Sequence, residues 1–229
     1  MPSFRSFAAA LCACFVLVFG SGCLPAARPA PMAQPGPMAP PGGAQGGFWL
    51  ATQDGWMDLE DYVARVCTQE NGAAAFEALK AQAVTARTYV LRAMRDEGPI
   101  GTPGKPIPNS QSFQAYAAAA SPACAAATAQ TRGLVLRWAG KLIVANYVAG
   151  ARLKDDGTLG DDPTRTEKWV TYNRGRMGPQ VIPTPLSRVD RADNRGCMSQ
   201  NGADWMARRG VDFVGILRFY YGDDVLLGW

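Results

Sequence analysis

The chain has 229 residues, an apolar share of 48% and a formal net charge of +4, enough for one folded domain with appendages. Lys and Arg are spread along the chain, which points away from nucleic acid and suits an anionic polymer or a membrane surface. The absence of histidine excludes Ser-His and Cys-His nucleophiles, His-dependent zinc hydrolase motifs and any imidazole acid or base. Carboxylates, Lys, Tyr or Cys must carry whatever proton transfer occurs.

The N-terminus reads as a targeting segment over residues 1–22. Arg5 supplies a positive start, and Phe7 to Phe19 an apolar stretch too short to span a membrane comfortably. Gly20-Ser21-Gly22 before Cys23 resembles a bacterial lipoprotein signal, which makes Cys23 the lipidated first residue and a membrane anchor. Cleavage after Ala26 or Ala27 would instead release a secreted protein. Leu24 rather than Asp after Cys23 resembles outer-membrane sorting, so the expectation is an exported, envelope-attached protein. Residues 23–47 are rich in Pro, Ala and Gly with almost no charge, a composition that cannot bury a core and reads as a disordered tether. The folded domain is expected over residues 48–229.

Two helices open that domain. Leu59, Tyr62, Val63 and Val66 form one apolar stripe, with Asp58 placed to cap its first turn. Asn71-Gly72 breaks the pattern directly after Glu70. Phe76, Leu79, Ala83, Ala86 and Val90 form the stripe of a second helix, which Gly98-Pro99 stops. Glu70 thus ends a helix at an apolar junction, where desolvation can raise a carboxyl pKa toward working pH. Lys80 and Arg87 lie seven apart on the second helix and share a face, as cations for a ligand or as partners of surface carboxylates.

Residues 98–109 read as a Pro/Gly-rich loop and 110–116 as a short extended piece. Ser121-Pro122 starts an Ala-rich helix running to Arg132 and closed by Gly133. Leu134 to Trp138 and Leu142 to Val148 read as a hairpin, and Trp169 to Tyr172 as another strand. Gln200 to Arg209 is helical, with Ser199 available as its cap. Asp212 caps a last helix whose Val214, Leu217 and Tyr221 share a face. Helices at both ends of a hairpin-rich middle argue for an α+β fold, a single domain of helices packed on antiparallel hairpins. Export makes an oxidising compartment the expected one, so Cys67, Cys124 and Cys197 allow one disulfide and one leftover thiol, the pairing left open. Their spacing lacks a ligand hairpin, so no metal site is assigned.

Three blocks in register resemble the stage II sporulation protein D / LytB amidase-enhancer family. They are LEDYVARVCTQE with EALKAQAVTARTYVLRA, then SQSFQAYAAAASPACAAATAQTRGLVLRWAGKLIVANY, then MSQNGADWMARRGVDFVGILRFYYGDD. The resemblance implies peptidoglycan as partner and lytic transglycosylase chemistry on glycan strands stripped of their peptides. It implies Glu70 as the catalytic acid, a single-carboxylate chemistry that needs no cofactor. Lys80 and Arg87 are candidates to hold the glycan or to pair with surface carboxylates, and Ser199 and Gln200 to bond sugar or to cap the helix that follows. A non-catalytic relative that binds glycan and stimulates a cell-wall amidase is the other function it implies. The chain departs from the family in two places. Asp193-Asn194-Arg195-Gly196-Cys197 replaces a Gly-His-Gly-Val-Gly lead, and Val148 to Lys154 replaces a Ser/Gly-rich stretch.

Overall fold

A computed structural model describes residues 47–96, 98 and 100–228. The targeting segment 1–22, Cys23 and the tether up to residue 46 lie outside the described residues. Two strands, β1 (Trp49–Thr52) and β2 (Gly55–Asp58), form an antiparallel hairpin that leads straight into the first helix. This hairpin carries no alternating sequence pattern long enough to be read in advance. Helices α1 (Leu59–Asn71) and α2 (Phe76–Asp96) follow, and then α3 (Pro122–Gln130). Strands β3 (Val135–Trp138), β4 (Lys141–Leu142) and β5 (Asn146–Val148) precede a long irregular stretch. The chain closes with β6 (Cys197–Ser199), α4 (Gln200–Ala207), α5 (Phe213–Tyr221) and β7 (Leu226–Gly228). The fold is α+β.

The helix starts follow from local chemistry. Asp58, Ser121, Ser199 and Asp212 each accept a backbone N–H of the turn they open, at 2.9, 3.3, 2.9 and 2.7 Å. The start of α2 is capped from a distance: Asp204 on α4 accepts the Ala75 N–H at 2.7 Å. In return, Glu77 on α2 accepts the Phe213 N–H at the start of α5 at 2.9 Å. These two carboxylates fasten α2, α4 and α5 to one another.

Helix α2 is buried on nearly every face rather than along one stripe. Ala78, Ala81 and Val84 join the core formed with Leu136, Ile143, Met198, Ile216 and Leu217. Ala83, Ala86, Val90 and Ala93 join a second core with Leu50, Tyr62, Val66 and Ile107. Its many alanines let neighbours approach from all sides. Phe76, expected on the buried stripe, is exposed instead. The buried face of α5 is Ile216, Leu217, Tyr220 and Tyr221, with Val214 only partly covered.

The strands depart from the simple hairpin expectation. β3 pairs antiparallel with the two-residue β4 and with β7 at the C-terminus. β5 leaves that sheet and pairs in parallel with β6, Tyr147 opposite Met198 and Val148 opposite Ser199. Residues Trp169 to Tyr172 form no strand. A single 3₁₀ turn, Glu167–Trp169, leads into extended chain there.

Arg87 sits at the centre of α2 with its side chain fully buried. Its guanidinium donates to both Glu60 oxygens, Nε at 3.0 Å and Nη2 at 2.5 Å, and Nη1 donates to the Leu134 carbonyl at 3.0 Å. Glu60 also accepts the Gly133 N–H at 3.2 Å. One ion pair therefore joins α1, α2, the end of α3 and the start of β3. Arg87 is no substrate contact; its charge is spent in the core. Removing one partner of a buried pair strands the other charge, so Arg87→Ala should destabilise by about 3–5 kcal/mol in urea unfolding. The double replacement Arg87→Met with Glu60→Met should cost less than Arg87→Ala alone. A loss under about 1 kcal/mol for the single variant would contradict this role.

Candidate active site

Glu70 stands one residue before the end of α1, half-buried in the wall of a cavity of about 530 Å³. The parallel pairing of β5 with β6 assembles the opposite wall, since it brings Tyr147 and the start of α4 at Gln200 to the same cavity. Glu70 Oε1 accepts the Ala115 N–H at 3.1 Å. The Gln200 amide reaches the same carboxyl while donating to Gln82 Oε1 at 3.3 Å. Burial pushes the Glu70 carboxyl above its usual value, and the Ala115 and Gln200 hydrogen bonds pull against that rise. Burial wins.

Tyr147 is the neighbour the sequence analysis did not single out. Gln114 Nε2 donates to its hydroxyl at 3.0 Å, and Gln114 Oε1 accepts from Tyr62 at 3.0 Å, a chain of polar groups along α1. Burial, then the charge of Glu70, raises the Tyr147 phenol well above its usual value, so it stays a neutral donor. Tyr147 and Gln114 both lie inside the second family-like block, and their residue types there were the available signal.

The remaining wall carries hydroxyls from the irregular chain that follows β5. Thr164 and Thr166 line the cavity. Asp162 accepts the Thr166 and Glu167 N–H groups at 3.1 and 2.9 Å, while Glu167 accepts the Ala151 N–H at 2.7 Å. The Gly150 N–H donates to Thr166 Oγ1 at 2.9 Å. Gly150 has φ +69°, and a Cβ there would collide with Ser199 Oγ, so the loop needs glycine at this crossing.

Of the other candidate residues, Gln200 joins Glu70 and the rest do not. Ser199 is buried, caps α4 and donates to the Ala149 carbonyl at 3.2 Å. Lys80 pairs with Glu77 and lies over the Phe213 ring, 4.9 Å from its centre, at the α2–α5 junction. The residues that replace the family's His-containing lead are also structural. Asn194 accepts the Thr184 N–H at 3.0 Å and donates to the Thr184 carbonyl at 2.8 Å, clamping the 184–188 loop. Arg195 pairs with Asp224 beneath the Trp138 ring. Cys67 and Cys124 meet in one buried cluster with Leu79 and Ala127, whereas Cys197 lies apart on β6. All three are free thiols.

A larger cavity of about 1020 Å³ opens between the 153–159 turn and the α4–α5 pair. The smaller cavity is the candidate site, because it holds Glu70, a half-buried carboxyl raised by burial and bonded to Ala115 and Gln200.

The family model described as SpoIID, stage II sporulation protein, matches residues 52–138. Over that stretch, less than half of the chain, the sequence is similar to the SpoIID family that its motifs resemble. The match takes in Glu70 and Gln114; Tyr147 and Gln200 lie beyond it. No curated protein matches the chain.

The raised Glu70 pKa has a stability consequence. The unfolded carboxyl titrates near 4.5, the folded one higher, so folding favours the protonated form. That contribution is fully present below the unfolded value and is lost as pH rises through the folded one. Glu70→Gln stays neutral throughout. We expect it to match wild type at about pH 4 and to be the more stable protein at about pH 8 in urea titrations. A gap that opened on acidification instead would contradict the burial of this carboxyl.

Proposed function

We propose that the protein is a peptidoglycan lytic transglycosylase that cleaves denuded glycan strands with Glu70 as its single acid and base. The observation that carries this reading is a half-buried carboxyl with a raised pKa, the only carboxylate among the described residues lining its cavity. A hydrolytic glycosidase needs a second carboxylate to activate water or attack the sugar. The lytic reaction does not. Protonated Glu70 gives its proton to the bridging oxygen as the glycosidic bond to the anomeric carbon breaks. The C6 hydroxyl of the same sugar then attacks that carbon, and the ionised Glu70 takes the hydroxyl proton. The acid is restored and no water is consumed. Tyr147, Gln200, Thr164 and Thr166 supply neutral hydrogen-bonding groups suited to sugar hydroxyls and acetamides.

An exported location on a Cys23 lipid, facing the wall, belongs to the same proposal. So does the alternative that the domain binds glycan and stimulates an amidase. That alternative is favoured by Asn194 and Arg195, whose side chains are consumed by loop and ion-pair contacts where the family has its His-containing lead.

Mass spectrometry of the products from amidase-stripped peptidoglycan tests both. Wild type should release anhydro-ended fragments, and Glu70→Gln should lose roughly 10²–10⁴-fold of that rate. Retention of glycan without any fragments would identify the binding function. Reducing-end fragments would identify hydrolysis and overturn the single-carboxylate mechanism.

A further inference from the structure

Cys67 lies on the last two turns of α1, one helical turn before Glu70, and Cys124 on the first turn of α3. Both side chains are fully buried and pack in one cluster with Leu79 and Ala127, where the Cys67 thiol donates to the Leu79 carbonyl at 3.6 Å. The surrounding register is held independently of the sulfurs. Thr68 Oγ1 accepts the Ser121 N–H at 2.9 Å, Ser121 Oγ accepts the Cys124 N–H at 3.3 Å, and the Arg65 carbonyl accepts the Ala117 N–H at 3.1 Å. Cys197 is excluded from this arrangement. Its thiol points to the carbonyl of the adjacent Met198 at 3.8 Å, inside the core around β6.

We infer that Cys67 and Cys124 are a disulfide-forming pair that staples the Glu70-bearing end of α1 to the start of α3, with Cys197 the leftover thiol. In the folded chain the two sulfurs sit in unequal surroundings. The neighbouring Cys67, Ser121 and Thr68 side chains lower the Cys124 pKa, whereas the neighbouring Cys124 and burial raise that of Cys67. The oxidant is a small-molecule or protein disulfide. The Cys124 thiolate attacks one of its sulfurs, forming a mixed disulfide and releasing one thiol. Cys67 then gives up its proton and attacks the Cys124 sulfur, releasing the second thiol. Two protein thiols and one external disulfide become one protein disulfide and two external thiols. Because both cysteines are sealed in the fold, the exchange takes place before α3 closes over α1, and the finished bridge is shielded from reductant. This inference does not depend on the catalytic proposal.

The test uses the full chain folded in a buffer of reduced and oxidised glutathione. Free thiols are capped with N-ethylmaleimide under denaturing conditions, and the protein is digested without reductant. The expected result is one cross-linked peptide joining Cys67 to Cys124, with Cys197 alkylated. Reduction in denaturant followed by refolding under reductant should lower the thermal midpoint of wild type by on the order of 10 °C. Cys197→Ser should respond alike, and Cys67→Ala with Cys124→Ala should not respond. Full alkylation of Cys67 and Cys124, or linkage of either to another cysteine, would overturn the pairing. An equal response of the double variant to reductant would overturn the staple.

Discussion

The buried pair between Arg87 and Glu60 is the constraint on which the rest of the domain depends. A guanidinium with no exposed surface must satisfy its donors inside the protein, and here it does so on Glu60 of α1 and on the carbonyls of Leu134 and Thr128. Glu60 comes from the first turn of α1, Leu134 and Gly133 from the turn between α3 and β3. Breaking the pair would leave a charge in an apolar core, so α1, α3 and β3 are held in one arrangement about α2. That arrangement sets where the far end of α1 lies, and with it Glu70.

The candidate site follows from this frame. Helix α1 carries Glu70 to the edge of the core, where burial removes water from the carboxyl and the Ala115 N–H bonds to it. The β5–β6 pairing closes the other side with Tyr147 and Gln200. The result is a titratable group poised by desolvation rather than by a neighbouring charge, which suits a residue that must give a proton and take one back. The loop from Gly150 to Trp169 adds hydroxyls through Thr164 and Thr166, and the Asp162 and Glu167 carboxylates hold it in place. The site also gives a physical meaning to the Met-Ser-Gln-x-Gly-Ala block: Ser199 caps α4, Gln200 faces Glu70, and a Cβ on Gly202 would overlap the Tyr220 hydroxyl.

What could be read from the sequence was local. The caps at Asp58, Ser121, Ser199 and Asp212 and the stripe on α1 depend on residues within a turn or two, and the structure keeps them. The α+β class followed from the same elements. Long-range choices were not legible. Arg87 shares a helical face with Lys80, but its partner Glu60 sits on another helix, and no periodicity reports that it is buried on all sides. The parallel pairing of two three-residue strands leaves no alternating pattern, so Tyr147 was missed. Cys67 was equally able to face Cys124 or Cys197 until the packing of α3 on α1 placed the first two in one cluster. Glu70 was legible because a helix end, a break and a family-like block coincide there.

The site stands or falls on the protonation of one carboxyl, and that can be measured directly. The side-chain carboxyl carbon of Glu70 should be followed by NMR through a pH titration, its resonance assigned by loss in Glu70→Gln. The account predicts a midpoint above the ordinary glutamate value of 4.5, with burial as its cause. A midpoint at or below that value would mean that water or hydrogen bonds hold the carboxylate ionised. Glu70 would then be an ordinary helix-end residue and the groove would have no acid.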